Sequence, residues 1–410
     1  MKHIYTSLDI GTDSIKVVVT ELYKNKLNLL GASSVKSNGI KKGVITDYKE
    51  AIVSIKKAIN EVEAMLGIEI NKVLVTVPSY FAEYKTFKED YKHDGTAIDS
   101  EVMKKITQQI IANNSIRGYE VAVVQTSDYL IDDNSFKEIK GISANKITAR
   151  GLLTLIPKEN LYSVVALLEK NGINVIDVCI GPVADYFAYK NKQYDSKNGV
   201  LIDIGSETTI ISIITKGIIV KSSVIQFGGK SIDNDIAYVY QIDNKLAIDL
   251  KEKFALAHSS GARSDEVRVV KNIINDEVEV DQHKLSEICM ARLEEILNSA
   301  KNEISSLTNI ENNYIIITGG TSNMRGLGKL AGEIFGPKAN IDNIKLLGVR
   351  NNKFATSVGT IIYFISKLKV KGQDYTMISE DEMKNVINSA KENKENESVI
   401  DKVFNYFFSE

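Results

Sequence analysis

Tryptophan is absent from this sequence, and cysteine, histidine and proline are scarce. The 410 residues include two cysteines, four histidines and four prolines. Two isolated cysteines exclude a disulfide framework, and the histidines show no metal-ligand spacing. Neither a disulfide-stabilised secreted domain nor a zinc site is therefore predicted. Cys179 and Cys289 each lie in an apolar stretch, which is typical of a protein that folds in a reducing compartment.

A strong net charge and long apolar runs are also missing. Lys plus Arg number 51 against 53 Asp plus Glu, for a net charge of −2, so no nucleic-acid partner is expected. No apolar run approaches the roughly 20 residues of a membrane-spanning helix. The first residues enter a predicted strand without the pattern of a signal peptide. With 43% hydrophobic and 25% charged residues, a globular chain of two or more domains is predicted.

What the chain does contain is an internal repeat. Residues 9–14 read Asp-Ile-Gly-Thr-Asp-Ser, and residues 203–208 read Asp-Ile-Gly-Ser-Glu-Thr. Each stretch lies between two apolar segments that read as strands. Because the repeat recurs half a chain later, it predicts two similar domains that face each other.

Each repeat predicts a strand–turn–strand hairpin that can bind phosphate. Glycine permits the tight turn and close backbone approach. Successive N–H groups in such a turn form an anion-binding nest, and Ser or Thr hydroxyls add donors. The aspartate at the strand end can hold Mg²⁺ through water. A single turn of this kind is usually an ordinary strand connection, whereas the matched pair favours two loops that grip the phosphates of a nucleotide.

Hydrophobic periodicity predicts an α/β chain. Residues 1–80 read as strands with one amphipathic helix, capped by Asp47. Residues 81–155 interrupt this pattern with a small α+β unit, including a helix at 100–112 and a strand at 147–156. Further predictions are helices at 160–170, 181–190, 231–240, 245–257 and 284–307, and strands at 174–179, 218–225 and 314–318, with residues 356–367 closing the folded body.

The C-terminal part has a different character. Residues 371–397 are rich in Lys, Glu, Asn and Ser, which predicts a disordered linker. At 3.6 residues per turn, residues 398–410 place their apolar side chains in one arc of roughly 200°. These side chains belong to Val399, Ile400, Val403, Phe404, Tyr406, Phe407 and Phe408. This pattern is typical of an interfacial membrane helix, and docking on a protein surface is the alternative.

Charge does not assist this tail. Residues 371–410 contain five Lys and nine Asp or Glu, so the attraction of basic segments to anionic lipid is missing. Membrane insertion would therefore rest on apolar burial. One copy should bind weakly, and polymerisation would supply the avidity.

Taken together, these features resemble a known family. The paired Asp-Ile-Gly loops and the Gly319-Gly320 pair after a late strand are similar to those of the actin/Hsp70/sugar-kinase superfamily. The loop Gly39-Ile-Lys-Lys-Gly-Val-Ile-Thr-Asp47, the insertion at 81–155 and the linker with its amphipathic helix resemble FtsA, a family of bacterial cell-division proteins. The resemblance covers essentially the whole chain.

The resemblance implies an actin-like two-domain α/β fold with duplicated ribonuclease-H-like units. Subdomain 1A would comprise residues 1–80, 156–197 and 348–370, and the FtsA-type insertion 1C would comprise residues 81–155. Subdomain 2A would comprise residues 198–230 and 285–347, and 2B residues 231–284. The linker would span 371–397 and the membrane-targeting helix 398–410.

The resemblance also implies a function. FtsA-like proteins bind ATP and Mg²⁺, polymerise into filaments and tether FtsZ filaments to the cytoplasmic face of the membrane, where they help to assemble the division ring. The C-terminal peptide of FtsZ would bind mainly on 2B, and other division proteins on 1C. ATP hydrolysis is expected to be slow or absent, because no Ser-His-Asp or Cys-His set and no convincing general base is found.

Site residues follow from the same resemblance. The first phosphate loop would use Gly11, Thr12, Asp13 and Lys16, and the second Gly205, Ser206 and Thr208. The metal would lie near Asp9 and Asp203. Gly229, Gly319 and Gly320 would let the backbone approach the ribose and adenine, and Lys251 would contact the nucleoside. The membrane-binding side chains would be those of Val399, Ile400, Val403, Phe404, Phe407 and Phe408.

Three departures from the family pattern affect these expectations. Ile248 stands where the family usually has a ribose-binding Glu. Glu207 replaces a glycine and puts a carboxylate near the triphosphate, which is unfavourable unless it points away or reaches the metal. The tail lacks the usual basic residues. Nucleotide binding is therefore expected to be weaker or less selective than is typical.

Two other classes remain open from the sequence. A small-molecule kinase of the same superfamily would need a polar acceptor pocket with a general base, and it would leave the tail unexplained. Another actin-like protein, of the MreB or pilus-assembly type, is the second. The insertion at 81–155 argues against MreB, and the loop Gly39–Asp47 against the pilus type.

Overall fold

The computed structural model describes residues 2–344 and 346–378. The predicted membrane helix and residues 379–397 of the predicted linker lie outside the described residues. Two compact units divide the chain. Of the described residues, unit 1 comprises 2–188, 346–350 and 356–378, and unit 2 comprises 189–344 and 351–355.

Unit 1 begins with an antiparallel meander and a helix that covers it. Its first elements are β1 (His3–Ile10), β2 (Ser14–Tyr23), β3 (Lys26–Lys36), β4 (Ile40–Lys41), β5 (Val44–Ile45), α1 (Tyr48–Leu66) and β6 (Lys72–Val77). The Asp47 carboxylate accepts hydrogen bonds from the Lys49 and Glu50 N–H groups, which confirms the predicted N-cap. The buried face of α1, including Ile55 and Ile59, packs against β2 and β3.

The predicted insertion forms a sheet of its own. Its elements are β7 (Glu83–Lys92), α2 (Ser100–Asn113), β8 (Tyr119–Ile131), β9 (Asn134–Phe136) and β10 (Lys146–Pro157), with strand order β7-β10-β8-β9. Met103 and Ile106 of α2 share a separate hydrophobic core with Ile147 and Leu153 of β10. This packing confirms the predicted α+β unit, with its helix at 100–112 and strand at 147–156.

The main sheet of unit 1 is completed after the insertion. The elements that follow are α3 (Lys158–Glu169), β11 (Asn174–Ile180) and α4 (Gly181–Tyr189). β6 pairs in parallel with β1 and with β11, which gives the strand order β11-β6-β1-β2-β3. Val73, Leu74 and Val75 of β6 are all fully buried, as expected for a central parallel strand covered on both faces.

Unit 2 opens with the second copy of the meander. Its first elements are α5 (Lys192–Asp195), β12 (Asn198–Ile204), β13 (Thr209–Thr215), β14 (Ile218–Ile225), α6 (Gly229–Tyr240), α7 (Asn244–Lys253), β15 (Val267–Lys271), β16 (Glu277–Asp281) and α8 (Gln282–Leu307). The helix predicted at 245–257 ends at Lys253. Beyond this point the backbone bonds outside the helix, since the Ala257 N–H donates to the Arg325 carbonyl.

The sheet of unit 2 repeats the topology of unit 1. The last elements of unit 2 are β17 (Tyr314–Thr318), α9 (Leu327–Phe335) and β18 (Ala339–Asn340), and α10 (Ala355–Lys371) follows, with all but its first residue in unit 1. The strand order β14-β13-β12-β17-β18 places a parallel strand beside the meander, as β6 lies beside β1. The repeat seen in the sequence is therefore a repeat of topology, and the β1–β2 and β12–β13 turns occupy equivalent positions.

The linker prediction is wrong for its first residues. Lys371 is the last residue of α10, and the chain then returns to β1. The Met377 N–H donates to the Ile4 carbonyl and the Ile4 N–H to Thr376 Oγ1, both at 3.0 Å. Met377 and Ile378 are buried, so apolar burial and backbone pairing hold this segment. Among the described residues, no helix combines the length and apolarity needed to cross a bilayer.

Candidate functional site

The first predicted phosphate loop is the turn between β1 and β2. The Gly11 N–H donates to the Ser14 carbonyl at 3.2 Å, which closes the turn. Thr12 Oγ1 accepts from the Gly43 N–H at 2.7 Å, so the β4–β5 hairpin is tied to this turn. The Asp13 carbonyl also accepts, from the Ser37 N–H. The Gly39–Asp47 loop singled out in the sequence thus supports the first turn directly.

Asp9 already has two partners within unit 1. It lies opposite Lys16 in the β1–β2 register, with Lys16 Nζ 3.0 Å from its Oδ2. Thr76 Oγ1 donates to its Oδ1 at 3.1 Å. The Asp9 and Lys16 side chains are 13% and 12% exposed. Because Mg²⁺ keeps several waters, a cation at Asp9 would be held through water rather than by replacing these contacts.

The second predicted phosphate loop is braced by the start of α6. The Gly205 carbonyl accepts from the Gly229 N–H at 2.9 Å and from Thr321 Oγ1 at 3.1 Å. The Ser206 carbonyl accepts from the Lys230 N–H at 2.8 Å. A Cβ atom on Gly229 would lie 2.4 Å from Thr321 Oγ1, so this close approach requires glycine. The turn that carries Ser206 and Thr208 is therefore held by its carbonyls.

Glu207 is charge-paired in this loop. Lys230 Nζ lies 2.5 Å from Glu207 Oε1, and the two side chains are 52% and 16% exposed. The sequence suggested that this carboxylate would have to point away or reach the metal. The structure shows a third arrangement, in which an ammonium group from α6 neutralises it.

Asp203 and Gly319 are brought together at the ends of two neighbouring strands. Asp203 of β12 pairs in register with Thr318 of β17, and Gly319 follows with φ +91°. A Cβ atom on Gly319 would lie 2.2 Å from Asp203 Oδ1 and 2.5 Å from the Ile204 carbonyl oxygen. Gly319 is therefore required here. Gly320 differs, because its nearest neighbour would be Lys353 Cβ at 3.9 Å.

A buried polar network, which the sequence did not reveal, holds the Gly319 turn. The Tyr189 hydroxyl lies 2.6 Å from Thr318 Oγ1 and donates to Asn352 Oδ1 at 3.0 Å. Asn352 Nδ2 donates to Ser322 Oγ, which donates to the Gly319 carbonyl. Tyr189 and Asn352 are 163 positions apart, so no local pattern connects them. In the sequence, only the small and polar residues 319–323 after Thr318 indicate a turn at this place.

Lys251 lies beneath the second loop in a buried ion pair. Its Nζ is 2.7 Å from Asp233 Oδ1 on α6, with side-chain exposures of 10% and 7%. It also donates to the Gly229 carbonyl at 3.4 Å. Burial raises the pKa of the nearby Cys289 thiol to about 12, so this thiol stays neutral. Because Lys251 contacts both Asp233 and the Gly229 carbonyl, it positions the start of α6. Its predicted contact with a nucleoside stays a prediction.

The predicted residues fall into two sets, one in each unit. Asp9, Gly11, Thr12, Asp13 and Lys16 lie in unit 1, whereas Asp203, Gly205, Ser206, Thr208, Gly229, Lys251, Gly319 and Gly320 lie in unit 2. In the part of the chain that the structure describes, no cluster of three or more His, Cys, Asp or Glu could hold a metal ion. One or two carboxylates together with nucleotide phosphates still suit Mg²⁺.

The fold and the duplicated turns define an actin-like protein. A chain of the PilM–PilN type IV pilus biogenesis complex superposes with a TM-score of 0.59 at 13% identity, covering 88% of this chain and 98% of that chain. MreB5 of Spiroplasma citri bound to ADP superposes with a TM-score of 0.56 at 16% identity, covering 90% and 98%. These likenesses confirm the predicted actin-like α/β fold.

Sequence comparison narrows the class. The family model described as cell division protein FtsA matches residues 200–359. FtsA of Bacillus subtilis strain 168 is 27% identical over 376 residues, which cover 90% of this chain and 85% of that protein. FtsA of Streptococcus pneumoniae serotype 2 is 28% identical over 357 residues, covering 86% and 78%. The predicted resemblance is confirmed, since the chain is similar to FtsA cell-division proteins along about 90% of its length.

Proposed function

We propose that this chain is an ATP-binding division protein that forms filaments and tethers FtsZ filaments to the cytoplasmic face of the membrane at the division site. The observation that carries the proposal is the duplicated turn, at equivalent places in β1–β2 and β12–β13, with an aspartate as the penultimate residue of each preceding strand. The match to FtsA relatives along about 90% of the chain supports the division role over a small-molecule kinase.

The chemistry of the turns suits a nucleotide. Backbone N–H groups of a tight turn attract phosphate oxygens, and the hydroxyls of Thr12, Ser206 and Thr208 can add donors. A hydroxyl that accepts one hydrogen bond, as Thr12 does, still has its own proton to donate. MreB5, which shares the fold, has been solved with ADP and with AMPPNP. In its own unit, each of Asp9 and Asp203 could hold Mg²⁺ through water, and the ion would neutralise phosphate charge.

We assign the C-terminal peptide of FtsZ to the outer face of α6 and the adjoining part of α8. A hollow of about 340 Å³ opens there, lined by Asp235, Tyr238, Val239, Ile288, Ala291, Arg292 and Glu295. A second hollow, of about 450 Å³, adjoins Tyr238 and Val239 and includes Ile273. Tyr238 is 85% exposed, and such an aromatic side chain beside a hollow is typical of a binding hot spot. Arg292 already donates through Nε and Nη2 to Asp235, so contact with the peptide would rest on the exposed apolar side chains.

Replacing Tyr238 with serine should weaken FtsZ peptide binding without harming the fold. Loss of a hot-spot aromatic typically costs about 2 kcal/mol or more, which corresponds to roughly 30-fold in Kd. Fluorescence anisotropy with a labelled FtsZ C-terminal peptide measures this change. Phe81→Ser is the matched control, because Phe81 is 82% exposed in unit 1. Equal affinity for wild type and Tyr238→Ser would contradict the assignment.

A chain that ends at Ile378 should assemble with ATP but leave the membrane. Because Thr376 and Met377 hydrogen-bond to Ile4 of β1, a cut after Ile378 removes the tail and keeps the packed chain. Electron microscopy on a lipid monolayer should show membrane-bound filaments only for the full chain. Phe404→Asp should also release the full chain from lipid, whereas Asn405→Asp, on the predicted polar face, should not. A tailless chain that still coats lipid would refute the anchor.

A further inference from the structure

The Glu207–Lys230 ion pair places a second charged group inside the proposed phosphate loop. We propose that Lys230 is a phosphate-binding residue of this loop, and that its pairing with Glu207 sets the affinity and the selectivity for nucleotide phosphates. The inference rests on the proposed nucleotide binding and extends it to Lys230 of α6 and Glu207 of the β12–β13 turn.

The position of Lys230 joins it to the loop in two ways. Its N–H donates to the Ser206 carbonyl at 2.8 Å, and its Nζ lies 2.5 Å from Glu207 Oε1. The backbone contact fixes where the lysine stem begins. The ammonium group is therefore held at the turn whose hydroxyls come from Ser206 and Thr208.

The electrostatics of the turn require such a cation. A carboxylate within a few ångströms of a phosphate repels it, and the repulsion is strong where water is partly excluded. Glu207 is largely buried, at 16% side-chain exposure, so solvent screens its charge only in part. Lys230 cancels that charge, and it leaves the loop close to neutral before a phosphate arrives.

The two partners differ in accessibility, and this difference decides which one meets the ligand. Lys230 is 52% exposed, about three times the exposure of Glu207. A lysine ammonium sits on a flexible stem with three donors, so it can turn from the carboxylate toward a phosphate oxygen. The Glu207 carboxylate would be left behind, and every bound phosphate therefore competes with it for one cation.

This competition predicts a selectivity for charge. A ligand with more phosphate charge near the turn gains more from Lys230, so ATP should depend on it more strongly than ADP. Removal of Glu207's charge should help both nucleotides, because Lys230 then has no internal competitor. With Glu207 present, the turn should therefore bind nucleotide more weakly than the same turn would without this carboxylate.

Calorimetry with MgATP and MgADP on the full chain tests the pair through a double-mutant cycle. Glu207→Gln should tighten ATP binding about threefold or more, and Lys230→Met should weaken it at least tenfold. The double variant should be weaker than Glu207→Gln by a larger factor than Lys230→Met is weaker than wild type, because Lys230 has no competitor once the carboxylate charge is gone. Lys221→Met, an exposed lysine on β14, should change nothing. Strictly additive effects would overturn the coupling.

A charge reversal separates a binding role from a structural one. Glu207→Lys combined with Lys230→Glu restores an ion pair of opposite direction, and thermal unfolding should report a folded protein. If Lys230 binds phosphate, this reversed chain should bind ATP at least tenfold more weakly than wild type, with a smaller loss for ADP. Wild-type affinity in the reversed chain would overturn the inference. A wild-type chain that bound neither nucleotide would instead overturn the proposed ATP binding, and this inference with it.

Discussion

Gly319→Ala should destabilise unit 2 and abolish ATP binding, because the new methyl group has no room. Gly319 has φ +91° and ψ 171°, a backbone region that is essentially restricted to glycine and costs another residue about 1–3 kcal/mol. The added Cβ would lie 2.2 Å from Asp203 Oδ1, and forced overlap in packed structure adds about 1–3 kcal/mol. A loss of roughly 2–6 kcal/mol is therefore expected, measured as a shift of the urea unfolding midpoint.

Gly320→Ala is the matched control for this result. The same methyl group at Gly320 would meet only Lys353 Cβ, at 3.9 Å, which is an ordinary contact distance. Its stability and ATP affinity should therefore stay close to wild type. The overlap at Gly319 can be relieved only by moving Asp203 or Ile204, so the loss of binding should exceed what instability explains. A Gly319→Ala chain with wild-type unfolding would show that the turn is not constrained in this way.

The sequence predicts those parts of the fold that depend on local pattern. The Asp-Ile-Gly repeats predict β1–β2 and β12–β13, and Asp47 predicts the start of α1. Strand β7 escapes prediction because its apolar side chains, Tyr84, Phe87 and Tyr91, follow the three-and-four spacing of a helix. The packing of residues 372–378 escapes because Met377 and Ile378 stand in a polar stretch, and the partner of this segment, Ile4 of β1, lies at the other end of the chain.

In the candidate site, too, local sequence predicts some features, whereas contacts between distant residues cannot be predicted from it. The turns that carry Gly11 and Gly205 follow from sequence, since glycine and small polar residues specify them locally. The partner of Glu207 does not, because Lys230 lies 23 positions away and reaches it through α6. The contact between Asp203 and Gly319 likewise needs two strands that meet only in the folded sheet. Residue types at a site are thus readable, whereas their pairing depends on tertiary structure.

Lys251→Met should destabilise unit 2 by about 3–5 kcal/mol, the usual effect of breaking a buried ion pair and leaving one charge uncompensated. The charge left behind is that of Asp233, whose side chain is only 7% exposed. The loss should appear in urea unfolding. Combining Lys251→Met with Asp233→Leu should recover most of the stability, because an apolar pair of similar volume often replaces a buried ion pair without cost. Wild-type stability of the single variant would contradict a strong pair.

Lys253→Met provides the comparison on the same helix. Lys253 pairs with Asp249 at side-chain exposures of 64% and 39%, where solvent screens the charges, so its loss should cost at most about 0.5 kcal/mol. The stable Lys251→Met/Asp233→Leu chain then isolates the function of Lys251 from its role in folding. If Lys251 contacts the nucleoside as the resemblance implies, that double variant should fold yet bind ATP at least tenfold more weakly. Retained affinity would instead restrict Lys251 to supporting Gly229 and the start of α6, and the nucleoside contact would have to come from another residue.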